Sequence, residues 1–209
     1  MFLQEIGGAW RAASQIPQSE PRPCGDSTVQ VHMEELKYHY KYPHPGVTTD
    51  NVILGFDGQE LKVLLIERGF EPYKGYWAFP GGFLEMDESA EEGARRELKE
   101  ETGLDSAYVK QFHTFSTPDR DPRERVISIA YYALVRISEV KGMDDAVQAK
   151  WFPINDVPKL AFDHAEMWRI AKEELRKAFL CGGKEFELLT EGFAKEEVEK
   201  IKLMINNSQ

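Results

Sequence analysis

Residues 82–104 read GFLEMDESAEEGARRELKEETGL, and this stretch decides how the chain is read. Ser89 followed three residues later by Glu92 is a capping-box signature, in which hydroxyl and carboxylate satisfy free amide donors at a helix start. Helix formers then run almost unbroken to Thr102, and Gly103 supplies a C-terminal stop. On such a helix Glu97, Glu100 and Glu101 stand at i, i+3 and i+4, so their carboxylates share one face. From Glu85 to Glu101 there are eight acids and three bases, a net of −5, half of the −10 carried by the whole chain. Like charges held this close repel unless something neutralises them. Hard divalent cations prefer carboxylate oxygens, which makes Mg²⁺ or Mn²⁺ the natural partner.

An acidic helix by itself is usually a solvated surface, and Glu92–Arg96 and Arg96–Glu100 are ordinary i,i+4 neighbours. The segment before it, Trp77-Ala78-Phe79-Pro80-Gly81-Gly82-Phe83, argues for more. It puts two glycines where backbone would have to approach a metal or phosphate closely. The spacing is Gly82, five residues, Glu88, seven residues, Arg96-Glu97-Leu98, Lys99, Glu100-Glu101, Thr102, Gly103-Leu104. At average residue usage a chance match at one start is on the order of 10⁻¹⁰. At every fixed position this segment resembles the signature of the Nudix hydrolases, which cleave nucleoside diphosphates linked to another group with divalent metal. The resemblance implies that Glu97, Glu100 and Glu101 ligate metal together with the Gly81 carbonyl. It also implies that Arg96 orients those carboxylates and that the loop acid Glu88 closes the loop–helix unit.

The remainder agrees with a compact enzyme. The chain has 209 residues, enough for one ordinary domain with appendages, and its 42% hydrophobic and 30% charged residues are globular values. A net charge of −10 argues against a nucleic-acid surface. Cys24 and Cys181 are too few for a disulfide framework or a zinc site, so a reducing cytoplasm is the simplest home. No apolar run approaches membrane-spanning length, and the first residues lack a secretory core.

Residues 1–45, with the proline-rich QIPQSEPRPCGDSTVQ, read as an irregular extension, and Met33 is an alternative start. Globular patterning begins near Val47: a strand at 51–56, an Asp57-Gly58 turn, and a returning strand at 61–66. Strands at 107–116, 126–136 and 149–153 follow the acidic helix, then a helix over 164–179 with Asp163 as its N-cap. This order predicts an α+β fold, an α/β/α sandwich with a mixed sheet and a loop–helix–loop catalytic motif. The expected catalytic domain spans 46–180, and 181–209 is expected as a tail with a short helix from Ala194 to Ile205.

Between two strands, Phe115 to Arg125 carries Arg120, Arg123 and Arg125 with two prolines. Alone this is a charged hairpin loop; beside a metal-binding helix its guanidinium forks suit a diphosphate, and the sequence does not choose among them. The run resembles the ADP-ribose pyrophosphatase branch of the family and its regulator relatives. Trp77 and Phe79 either stack on a base or pack in the core. His113 and His164 receive no catalytic role. The resemblance implies that the base that deprotonates water is a box glutamate, Glu100 or Glu101, or an acid of the loop before the last strand, for which Glu139, Asp144 and Asp145 are the candidates. The expected substrate is a nucleoside diphosphate derivative, ADP-ribose first, giving AMP and ribose 5-phosphate; other substrates weighed are NADH, nucleoside diphosphate sugars and oxidised nucleoside triphosphates. An ADP-ribose- or sugar-sensing, DNA-binding regulator of the Nudix-related type is the competing expectation, set lower because fewer than 30 residues follow Gly182. Homodimerisation is expected from the resemblance alone.

Overall fold

The computed structural model describes residues 40–104, 108–137 and 146–208. Tyr40 onward forms one compact unit. Its elements are β1 (Gly46–Phe56), β2 (Leu61–Arg68), β3 (Trp77–Ala78), β4 (Gly81–Phe83), α1 (Ala90–Thr102), β5 (Lys110–Phe115), β6 (Val126–Arg136), β7 (Ala146–Pro153), α2 (His164–Cys181), α3 (Lys184–Leu189) and α4 (Lys195–Asn207).

At the centre β1 and β6 run parallel along their whole length, from Gly46 beside Val126 to Phe56 beside Arg136. Every residue of β1 from Thr49 to Phe56 is buried, as expected of a strand covered on both faces. Alternate side chains serve the two layers. Ile53, Leu64, Tyr131 and Ala133 meet Ala94 and Leu98 of α1. Val52, Leu54, Val63 and Leu65 share the larger core with Met167, Ala171 and Leu175 of α2. A mixed sheet between helices is therefore the observed architecture, as the order of elements predicts.

The remaining pairings are antiparallel, and one departure from regularity builds the site. β1 and β2 pair only from Leu54–Phe56 to Leu61–Val63. Beyond that they part, and β3 joins β2 while β4 joins β1 through Thr48–Asp50. The chain between β3 and β4, Phe79-Pro80, therefore crosses the fork between the two strands, and Pro80 O accepts from Asn51 N at 2.8 Å. The Asp57-Gly58 turn closes the hairpin as expected: Asp57 Oδ1 accepts from the Gln59 and Glu60 amides at 2.9 and 2.7 Å, and Gly58 takes φ 97°.

One expectation needs correction and one refinement. Residues past 180 are not a loose tail, because α3 and α4 bring Leu189, Ile201 and Ile205 into the same core as α2. The amphipathic pattern of α4 hides this at sequence level, since an apolar stripe does not say which partner it meets. Asp163 is the N-cap residue of α2, as expected, but its side chain makes no capping hydrogen bond; both its carboxylate oxygens accept from Arg120 instead. Among the described residues no helix is long and apolar enough to cross a membrane.

Candidate active site

The acidic helix forms as its caps require. Ser89 Oγ accepts from Glu92 N at 3.3 Å while Ser89 N donates to Glu92 Oε2 at 2.8 Å. At the other end Gly103 turns left-handed at φ 75° and its N–H bonds Lys99 O. The buried Ala94 and Leu98 face the sheet, and Asn51 clamps the helix to β1 through Nδ2 to Ala94 O at 2.9 Å.

Arg96 organises the carboxylates. Its Nε and Nη2 reach both oxygens of Glu88 at 2.9 and 2.6 Å. Its Nη1 bonds Glu97 at 2.8 Å and Glu100 at 3.0 Å, and Nη2 also reaches Phe83 O at 3.1 Å. A guanidinium has five N–H donors, and these five bonds use the fork completely. The Arg96 bonds hold the Glu88 carboxyl below its ordinary range. Burial instead pushes Glu97 up, with Glu100 and Glu88 adding to the rise against the pull of Arg96.

Glu101 points elsewhere. It is buried, and its Oε2 accepts from Gly81 N at 2.7 Å, tying the helix to the crossing segment. Gly81 is required for space: a Cβ there would lie 2.0 Å from Thr49 O, a backbone atom that cannot yield. A Cβ on Gly82 would instead stand 2.4 Å from the Glu97 carboxylate. Among the described residues no three His, Cys, Asp or Glu side chains already surround one point. Even so, the donor set fits a hard divalent ion. Three carboxylates, Glu88, Glu97 and Glu100, share the Arg96 guanidinium, while Glu101 stands on the Gly81 amide, and Mg²⁺ ordinarily takes only one or two protein carboxylates, completing its shell with substrate phosphates and water.

Beside Gly81, Gly82 and Glu101 opens a cleft of about 250 Å³, lined on its other sides by Asp50, Arg68, Phe70, Phe83, Arg120, Asp121, Arg123, Phe162 and His164. The three sequence-selected arginines separate here. The Arg120 side chain is only 5% exposed, its fork spent on Asp163 at 2.7 and 2.8 Å and its Nη2 3.9 Å from Asp50. Arg123 faces the cleft, half-exposed, bonded to Asp121 at 2.7 Å and 5.8 Å from the Phe83 ring. Arg125 reaches Thr117 O at 3.1 Å and is not part of the cleft lining.

Sequence reasoning missed Arg68. This last residue of β2 holds Pro72 O at 2.9 Å and lies 4.7 Å over the Phe162 ring, with Arg123 5.9 Å from the same ring. Burial, then the nearby Arg123 charge, lowers the Arg68 pKa. Two guanidinium groups thus crowd against one aromatic ring, Arg123 with its fork already on Asp121. The only local signal was a lone arginine ending a strand. Phe162 itself adopts φ 48°, a left-handed conformation sparsely used by aromatic residues.

The aromatic alternatives are also resolved. Phe79 is buried, stacked 5.5 Å from His164 and tilted against Trp168, so its ring offers no free face to a base. Trp77 packs edge-on against Phe152 at 4.6 Å. Phe70 and Phe83 are the exposed aromatics of the cleft. His113 stacks edge-on against Phe115 at 4.7 Å, away from the cleft lining. The loop acids Glu139, Asp144 and Asp145 lie outside the described residues.

Known proteins resemble this chain closely. It is 43% identical over 146 residues to an ADP-ribose pyrophosphatase of Methanocaldococcus jannaschii, covering 70% of this chain and 82% of that protein. It is 33% identical over 165 residues to the ADPR responsive transcriptional repressor NtrR of Acinetobacter baylyi, covering 77% of this chain and 66% of the repressor. Among solved structures, a MutT/nudix family protein from Enterococcus faecalis aligns with a TM-score of 0.72 at 29% identity, covering 83% of this chain and 78% of the other. The NUDIX domain of Shewanella oneidensis NrtR, complexed with ADP ribose, aligns at 0.62 and 34% identity, covering 66% and 94%. The family model for the NUDIX domain matches residues 44–173, and with the spaced glutamates, the Arg96 hub and the shared fold in place, the chain belongs to the NUDIX domain family.

Proposed function

We propose that this protein is a pyrophosphohydrolase that splits ADP-ribose into AMP and ribose 5-phosphate. The carrying observation is that Glu101 of the acidic helix lines the same cleft as Arg68 and Arg123. The guanidinium groups there suit the oxygens of a diphosphate, and the carboxylates could hold the cation such a substrate brings. Glu97, Glu100 and Glu101 would hold Mg²⁺ or Mn²⁺, which when bound draws charge from phosphorus and lowers the pKa of bound water. Arg96 keeps those carboxylates ordered. Arg68 and Arg123 hold the phosphates against the crossing segment. Water adds its oxygen to one phosphorus, a carboxylate takes the proton, and the bridging oxygen departs with the other phosphate. That carboxylate is Glu100 or Glu101 of the helix, or Glu139, Asp144 or Asp145, which precede β7 in the sequence. The M. jannaschii enzyme's name supports ADP-ribose as the substrate.

The similarity to NtrR favours one second reading, in which the same cleft senses ADP-ribose and the protein regulates transcription. Turnover separates the two. Purified protein with ADP-ribose and Mg²⁺ is expected to yield equal amounts of AMP and ribose 5-phosphate by chromatography. Retarded DNA without turnover would establish the sensor instead. A nucleoside triphosphate preferred by about tenfold or more in kcat/KM, a difference of about 1.4 kcal/mol, would replace the substrate.

A further inference from the structure

The crossing segment Phe79-Pro80-Gly81 has each of its polar backbone connections to the site accounted for by a different element. Gly81 N donates to Glu101, Pro80 O accepts from Asn51, and Phe79 N donates to His164 Nδ1 at 3.1 Å. The last bond joins residues 85 apart in the chain. Because Nδ1 accepts, the imidazole proton resides on Nε2, which faces Asp50 Oδ1 at 3.6 Å. Asp50 is itself buried, accepting from the Ser128 hydroxyl and standing 3.9 Å from Arg120. Arg120 in turn grips Asp163, the residue before His164, with both arms of its fork. A buried acid, an arginine and a second acid thus fix a neutral histidine against one backbone amide. Nothing in the chemistry proposed above uses that histidine.

We infer that His164 is a positioning residue for Glu101: by accepting from Phe79 N it fixes the crossing segment, whose next amide but one, that of Gly81, holds the Glu101 carboxylate. This rests on the hydrolase reading. The relevant atom is Nδ1 as an acceptor; the ring's bulk and its contact with Asp50 support it. An unmade bond here would leave a buried amide without a partner, and the segment would shift to find one.

Two substitutions separate acceptor from bulk. His164→Asn places a carbonyl oxygen near the Nδ1 position, whereas His164→Gln places its amide near Nε2 and leaves Phe79 N unanswered. With the full chain, His164→Asn is expected to keep kcat for ADP-ribose within about threefold of wild type. His164→Gln is expected to lose about tenfold or more in kcat with KM changed by less than about threefold, the scale of a lost supporting bond at a metal site. Mn²⁺ binding in the presence of AMP, followed by loss of the free-ion EPR signal, should weaken in the Gln variant and not in the Asn variant. Thermal melts serve as control, since a purely structural histidine would lower Tm and activity alike in both. Equal losses in the two variants, or a Gln variant with wild-type kcat and Mn²⁺ affinity, would overturn the inference. If the Gln variant fails to fold, the Asn variant decides alone: retained kcat supports the role and a tenfold loss refutes it. A wild-type protein that leaves ADP-ribose intact would instead defeat the hydrolase reading, and the Mn²⁺ comparison would still report on His164.

Discussion

At the scale of single residues, the site depends on donors and acceptors that are fully committed. Arg96 spends five donors on three carboxylates and a carbonyl, a geometry that a lysine ammonium with three donors cannot copy. Arg96→Lys is expected to lower kcat by roughly 10–100-fold, measured with ADP-ribose and saturating Mg²⁺, while the protein stays folded. Glu101→Gln keeps an acceptor for Gly81 N but removes a negative oxygen, so turnover should fall by more than that range while the thermal melt is little changed; near wild-type rates would remove Glu101 from the metal-binding set. His164 makes a statement about pH. Burial holds its pKa below the ordinary 6.5, opposed by Asp50 and Asp163. A base with a depressed folded pKa binds fewer protons folded than unfolded, so its contribution to stability is full above pH 6.5 and declines as pH falls below it. Denaturant titrations of metal-free protein should therefore show stability dropping below that pH, and His164→Asn should flatten the decline.

At the scale of elements, the turn and the crossing segment give separable tests. Asp57 is held at a pKa of about 2 by the Glu60 and Gln59 amides and by Lys62. Because its folded pKa lies below the unfolded one, the β1–β2 turn should weaken only as pH falls from about 4 toward 2. A carboxyl NMR titration with a midpoint near 3.8 would mean that the turn bonds are not formed. The two glycines differ in what they face. Gly81→Ala drives a methyl into backbone and should unfold or grossly destabilise the domain. Gly82→Ala meets only the movable end of Glu97, so the protein should fold with a Tm near wild type and lose activity as that carboxylate is pushed aside. Equal Tm losses for the two variants would contradict this picture of the fork.

At the scale of the whole molecule, the C-terminal helix belongs to the domain. Ile201 is fully buried in the core that α2 shares with the sheet. Truncating it with Ile201→Ala should cost about 2–5 kcal/mol in a single cooperative unfolding transition. An unchanged midpoint would make 181–209 the independent tail that its sequence suggests. Much of the acidic helix was legible beforehand, because its determinants are local: Ser89, Glu92 and Gly103 set its ends, but its 3.6-residue period did not show that Glu101 turns to Gly81 while Glu97 and Glu100 turn to Arg96. The sandwich followed from the order of strands and helices for a similar reason. The arginine pair at the cleft was not legible. Which of Arg120, Arg123 and Arg125 meets the cleft, and that Arg68 does so as well, depends on where β1 and β2 part and on contacts such as Arg120–Asp163, 43 residues apart. By itself, then, the sequence determined the kind of chemistry, since charge, spacing and helix period act over a few residues. Only the tertiary structure decided which distant side chains share the cleft and which are consumed in holding it, because burial and ion pairing between remote segments exist only once the chain has closed on itself.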